Sequence, residues 1–462
     1  MKKIILYIAL FTVSLSAYSQ DSLMNYLEIA AKNNPTVLQR YAEYQASLQK
    51  VPQVGSLPDP QLEMGVFLSP MELISGNQVA DIKLMQMFPW VGVIKNAKDE
   101  MSLMAKGKYE LFRDAKLQVF YDVQRAWFDL YKVRQSIRIS EKNMELLKTI
   151  ERLALVKYKT GSSGGSGVVS SGSNMSGGTA PSNSSGMNTM GGSGGSTVAQ
   201  PTVSAGSSSM GSTSGSTGLA SVYQIQIEMS DLENNIASLN SEEQVTLARF
   251  NSQLNRPFKT PVIMPDLLPT EPLDIAYLSV SDSMFSKNPM LGMLQYEQQS
   301  LTARTKMQKQ MGLPMVGVGV NYSVISKSEM STSTMNGQDM IMPMLTVTLP
   351  IYRKKYTAMQ TETKFLKAAS EQNYQATANA LQTDYYEALQ LYNDAQRRMK
   401  LYDNQRQLAQ KTLDITLKSF SSGSNLSDIL RIRQQLLDYE LKQVGAVTDY
   451  NKAKAWIKRL IQ

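Results

Sequence analysis

Val316-Gly317-Val318-Gly319-Val320-Asn321-Tyr322-Ser323-Val324 is the stretch on which the reading of this chain turns. Apolar side chains fall at every second position with small or polar ones between them, the period of a β-strand with two unlike faces. Val316, Val318, Val320, Tyr322 and Val324 suit hydrocarbon, whereas Gly317, Gly319, Asn321 and Ser323 suit water. A membrane barrel strand alternates in this way, and so does a soluble hairpin lying on a core. A return strand is expected over 339–349, where Leu345, Val347 and Leu349 oppose Met344, Thr346 and Thr348. A weaker version lies upstream: Leu62, Met64, Val66 and Leu68 alternate with Gln61, Glu63, Gly65 and Phe67, and a return run follows over 79–88. Each run is near the ~9–11 residues that a tilted strand needs to cross a bilayer. Because the smallest membrane barrel has about eight strands, a chain that spans with these runs must oligomerise.

Working outward, the whole chain is written twice. Asn34-Pro35 recurs as Asn288-Pro289, an offset of 254, and Phe88-Pro89 as Leu349-Pro350, an offset of 261. The offset then holds at 262, pairing Asp122 with Asp384, Ala126 with Ala388, Tyr158 with Phe420 and Gly161 with Gly423. Beyond the glycines it drops to 207: Ser221 falls on Asp428, Asp231 on Asp438 and Glu233 on Glu440. The first copy therefore carries 55 extra residues just after Gly161, the Gly/Ser-rich stretch 162–218. Two copies of one supersecondary unit pack as neighbours in repeat architectures. The expected organisation is a leader at 1–20, a first repeat over 21–270 containing the insertion, and a second repeat over 271–462.

Each copy opens with two short helical patterns (22–54 and 275–312) broken at Asn-Pro, since proline starts a helix well and restricts the residue before it. After Pro89 and Pro350 come helical stretches running 72 and 73 positions to the glycines. At 1.5 Å per residue such a helix is on the order of 100 Å long. Val119, Val123, Ala126, Leu130, Val133 and Ile137 are spaced 4, 3, 4, 3, 4, the a/d seam of a coiled coil. Return helices are expected over 219–254 and 425–460. The fold class is mainly α, with long coiled-coil helical hairpins and four strands per chain.

Lys2 and Lys3, the apolar run Ile4 to Leu15 and the small-x-small site Ala17-Tyr18-Ser19 read as a secretory signal peptide. No other segment approaches the ~20 apolar residues of a membrane helix. The chain has no Cys and no His, which excludes disulfides, zinc-finger sites, Cys nucleophiles and His acid–base chemistry. Its net charge of +8 is spread along helices rather than clustered with aromatics, so nucleic acid is not an expected partner. Carboxylates lie beside Lys and Arg on long helices as solvated faces do, and no enzyme activity and no cofactor are expected.

The order of signal peptide, short helices, strand pair closed by proline, long helix, glycine tip and return helix, all repeated, resembles the TolC-type outer-membrane efflux channel family. The residues that carry the resemblance are Phe88-Pro89-Trp90-Val91-Gly92 and Leu349-Pro350-Ile351-Tyr352, with the tips Tyr158-Lys159-Thr160-Gly161 and Phe420 to Leu430. The resemblance implies a homotrimer whose three chains form a 12-stranded β-barrel in outer-membrane lipid, continued by a periplasmic α-barrel tunnel. It further implies a passive exit duct opened by a periplasmic adaptor and an inner-membrane efflux pump, with Gly161, Gly423 and Asp428 at the periplasmic tip. A periplasmic adaptor or a secreted coiled-coil structural protein is the rival reading, and the two strand pairs count against it. The insertion departs from the family pattern; its composition cannot bury enough surface to fold, so a flexible loop is expected.

Among 28 methionines, Met330, Met335, Met340, Met342 and Met344 fall within fifteen residues, and the last three share a strand face. Met85 and Met87 share the same kind of face in the first copy. Thioethers are soft ligands suited to Cu(I) and, by the same argument, Ag(I), although methionine also serves as an adaptable apolar filler. The candidate metal ligands are Met340, Met342 and Met344 in the lumen, with Met175, Met187, Met190 and Met210 as a capture loop in the insertion. The run Pro58-Asp59-Pro60 through Gln86-Met87-Phe88-Pro89-Trp90 is similar to outer-membrane components of heavy-metal efflux systems.

Overall fold

In both copies, proline and the asparagine before it set where the second helix begins. Asn34 and Asn288 adopt nearly the same extended conformation (φ −67°, ψ 124° and φ −63°, ψ 123°). The Asn34 side chain accepts a hydrogen bond from Thr36 N at 2.9 Å, and that of Asn288 accepts one from Met290 N at 3.0 Å. Proline at the first helical position needs no such partner, so cap and proline together satisfy the exposed helix start.

The computed structural model describes residues 21–162, 216–273, 281–332, 334–419 and 426–461. The leader expected at 1–20 and the insertion between residues 163 and 215 lie outside them. Helices α1 (Asp21–Asn33) and α2 (Pro35–Gly55) precede strands β1 (Gln61–Leu73) and β2 (Gly76–Phe88), and α3 (Val93–Ser162) and α4 (Ser216–Gln253) follow. The same order returns as α5 (Ser281–Lys287), α6 (Pro289–Met311), β3 (Met315–Ser326), β4 (Met340–Thr348), α7 (Arg353–Ser419) and α8 (Leu426–Ile461). The mainly helical fold with four strands is therefore the one observed. The two longest helices have 70 and 67 residues. No described helix is long and apolar enough to cross a membrane.

β1 differs most from its expectation. It continues to Leu73 past Ser69-Pro70, and its pairing with β2 shifts register between Val66 and Met71. Proline is tolerated there because β1 is an edge strand and the irregularity takes up the missing N–H.

Two compact units divide the chain, one from residues 1–138, 238–408 and 438–462, the other from residues 139–237 and 409–437. The first unit holds the sheet and two helical cores. The expected seam is buried from Val119 to Ile137, and its first four residues, Val119 to Leu130, join one core in which Val123 and Leu130 are fully enclosed. Phe250 packs against it with Tyr26 edge-on at 5.3 Å. In the other, Tyr385, Ala388, Tyr392 and Ala395 occupy the equivalent helix face and meet Tyr450 and Ile457. Tyrosine hydroxyls tie down the connecting segment: Tyr131 donates to Asp266 O at 3.0 Å, and Tyr450 to Glu271 O at 3.0 Å. Each buried hydroxyl thereby keeps a partner, which its removal from water requires.

Candidate functional site

The sheet is antiparallel in the order β1-β2-β3-β4, and its register decides which side chains share a face. One row across the strands is Gln61, Met85, Gly319 and Met344; the next is Glu63, Lys83, Asn321 and Met342; a third is Gly65, Asp81, Ser323 and Met340. Directly paired residues point to the same side, so these twelve form one polar, methionine-bearing face. The opposite face carries rows such as Leu62, Leu84, Val320 and Pro343, and Met64, Ile82, Tyr322 and Ile341. Its apolar side chains stand open: Val66 is 72% exposed and Leu345 71%.

The polar face has its own contacts. Lys83 Nζ lies 3.0 Å from Glu63 Oε2. A side chain at Gly317 would collide with the Met87 sulfur, so that thioether lies across the glycine. At Gly319 a Cβ would come within 2.7 Å of Leu84 O. Small residues in β3 thus leave room between the methionines of β2 and those of β4. Met340 and Met342 are about half exposed, at 48% and 47%. Met175, Met187, Met190 and Met210 lie outside the described residues. Among the described residues no group of three or more carboxylates is placed to hold a metal ion.

Both edges of the sheet, β1 and β4, are unpaired among the described residues. An unpaired edge beside an exposed apolar face is unstable in water and calls for either a partner strand or a covering layer.

The residues expected at the tip fall in the sequence ranges of the second unit. Gly161 belongs to the last turn of α3, and Gly423 lies outside the described residues. Asp428 sits in the first turn of α8, where a carboxylate complements the helix dipole, and is exposed 3.6 Å from Arg431. The residue that sequence reasoning missed is Arg433. Its side chain is only 4% exposed, with Nη2 at 2.8 Å from Glu228 Oε2 and Nη1 donating to Asn143 Oδ1 at 3.0 Å. Burial pulls its pKa below the usual arginine value, and the Glu228 carboxylate works against that shift. The missed signal was a charge at a seam position, since Leu426, Ile429, Leu430 and Leu436 bury the same helix face.

The same fold occurs in known structures. The chain superposes on the CmeC outer membrane channel of Campylobacter jejuni with a TM-score of 0.70, covering 95% of this chain and 85% of that one at 13% identity. The chain has the fold of the TolC-type outer-membrane channels. The outer membrane protein VceC of Vibrio cholerae gives a TM-score of 0.68 at 11% identity, with 95% and 96% of the chains covered. CusC, solved in a study of its folding and transmembrane channel formation, gives 0.71 at 12% identity, with 96% and 92% covered. No protein-family model and no curated relative matches the sequence.

Proposed function

We propose that this chain is the outer-membrane channel component of a tripartite efflux system. The observation that carries the reading is the sheet itself: among the described residues it has four strands with both edges open, one exposed apolar face and one polar face. Three copies joined edge to edge place the apolar rows in lipid and the polar rows around a water-filled lumen, as closed barrels require. The homotrimer sits in the outer membrane, its helical tunnel in the periplasm with Gly161, Gly423 and Asp428 at the distal tip. A periplasmic adaptor and an inner-membrane pump load it, and the channel itself is a passive duct with no enzymatic step. The repeats 21–270 and 271–462 are the two halves of each protomer, and the leader 1–20 directs export.

The test is fractionation followed by electrophoresis with and without boiling, then conductance in planar bilayers. A heat-sensitive trimer in the outer-membrane fraction that conducts ions is the expected result. Recovery as a soluble periplasmic monomer overturns the reading.

The finer part of the proposal concerns cargo. Met340, Met342 and Met344 share a face with Met85 and Met87, and uncharged thioethers exchange ligands readily, so weak successive sites pass Cu(I) or Ag(I) along without trapping it. Met175, Met187, Met190 and Met210 act as the capture segment at the periplasmic mouth. Replacing all seven candidate ligands by Leu should lower copper and silver tolerance in a strain with no other such channel. Unchanged tolerance with normal trimer abundance removes the metal from the proposal.

A further inference from the structure

Within the first unit, α3, α6 and α7 border an open cleft of about 730 Å³. Leu111, Met293, Leu294, Leu301 and Leu366 give it an apolar side, and four charged side chains line the rest with Ser and Asn. The helices α3 and α6 approach through small residues: a Cβ at Gly107 would sit 3.8 Å from Met293 Cγ, and one at Gly292 would sit 3.4 Å from Glu110 Cγ. The space opens beside this crossing.

One side chain in the wall has no partner. Glu100 is only 8% exposed and lines the cleft, yet no hydrogen bond or ion-pair contact from a described residue reaches its carboxylate. The other charged groups of the wall are engaged. Arg304 lies 3.4 Å from Glu362, Lys108 lies 3.8 Å from Glu43, and Glu297 accepts a hydrogen bond from Ser370 at 3.2 Å. Burial raises the Glu100 pKa, and the Arg304 charge opposes that only in part. Its carboxylate oxygens open to the cleft rather than being sealed from solvent, so a cation entering there meets an unpaired acceptor that is already partly desolvated.

We infer that this cleft is a binding site for amphipathic organic cations, with Glu100 as the counter-charge and the leucine and methionine wall as the apolar seat. The volume falls within the range of ~300–1,000 Å³ of small-molecule sites, which are mostly apolar with a few placed polar groups. A small inorganic cation would leave most of the wall empty, and an organic anion would bring its charge against Glu100. A monovalent cation carrying several apolar rings satisfies both features.

The experiment uses the full-length trimer in detergent and isothermal titration with tetraphenylphosphonium, with its anionic isostere tetraphenylborate as control. Wild type should bind tetraphenylphosphonium saturably, with a stoichiometry of about one per protomer. Glu100→Gln should weaken that binding about tenfold, as expected for loss of one charge contact in a partly buried site. Ala369→Trp, which fills the cleft from its exposed rim, should abolish it. If Glu100→Gln fails to assemble, the Ala369→Trp arm decides alone. Unchanged affinity in the assembled variants, equal saturable binding of tetraphenylborate, or no saturable binding by wild type overturns the site. Conductance of the same preparations keeps the two readings apart: a conducting trimer that binds no cation loses the site and keeps the channel, and a cation-binding protein that does not conduct does the reverse.

Discussion

The helical cores and the sheet of the first unit treat the same kinds of side chain in opposite ways. Around α3, Val123, Leu130 and Phe250 are fully enclosed within one chain. In the sheet, Val66, Ile341 and Leu345 stand exposed while Lys83, Glu63 and Asn321 share the opposite face. Burial of apolar surface drives both arrangements, but the helices meet that demand within one chain and the sheet does not. Under the proposed function, the difference marks the part of the molecule that meets lipid rather than water.

The largest expected effect breaks the helical side of this comparison. Phe250→Ala should cost about 3–5 kcal/mol, because a fully buried ring leaves a cavity that its neighbours cannot close. Thermal unfolding of the assembled protein should show the loss, whereas Val347→Ala on the exposed apolar face should barely shift Tm. Equal effects would mean that the sheet face is packed against protein. Removing the buried arginine of the second unit is next. Arg433→Ala should cost about 3 kcal/mol, since it strands Glu228 and Asn143 as well as deleting the contact. A shift indistinguishable from that of an exposed control such as Arg431→Ala would show that the network contributes nothing.

Leu345→Arg and Thr346→Arg sharpen the sheet side, because adjacent residues point to opposite faces. The first should lose about 2–4 kcal/mol of membrane folding and the second much less, read as the yield of heat-sensitive trimer. The reverse order would invert the assignment of lipid and lumen. Asn34→Ala and Asn288→Ala should each lower stability by about 1 kcal/mol, and a much larger loss at only one of them would show that the two repeats do not start alike.

Titration of Glu100 gives the smallest expected effect. Its folded pKa is raised by burial, so the folded state holds the proton more tightly than the unfolded one. The associated stability is fully present below the ordinary carboxylate pKa and is lost as pH rises through the raised value. Glu100→Gln should flatten that part of the Tm-against-pH curve and be the more stable protein at neutral pH. A curve with the wild-type slope would assign the slope to another group.

Much of this architecture depends on relations between chain neighbours, and those are legible in sequence. Asn-Pro places a helix start through a hydrogen bond two residues away, the seam from Val119 to Ile137 follows from helical period, and the alternation from Val316 to Val324 follows from strand period. The recurrence of these signals at steady offsets announces the repeat before any fold is known. Register and burial are different, because they join residues far apart in the chain. Only the pairing of β2 with β3 and of β3 with β4 brings Met85 into one row with Gly319 and Met344. Only the packing of α3 with α6 and α7 sets Glu100 in the wall of a cleft, and only the fold of the second unit sets Arg433 against Asn143 and Glu228. A period tells which side chains share a face, and long-range contact decides what that face meets.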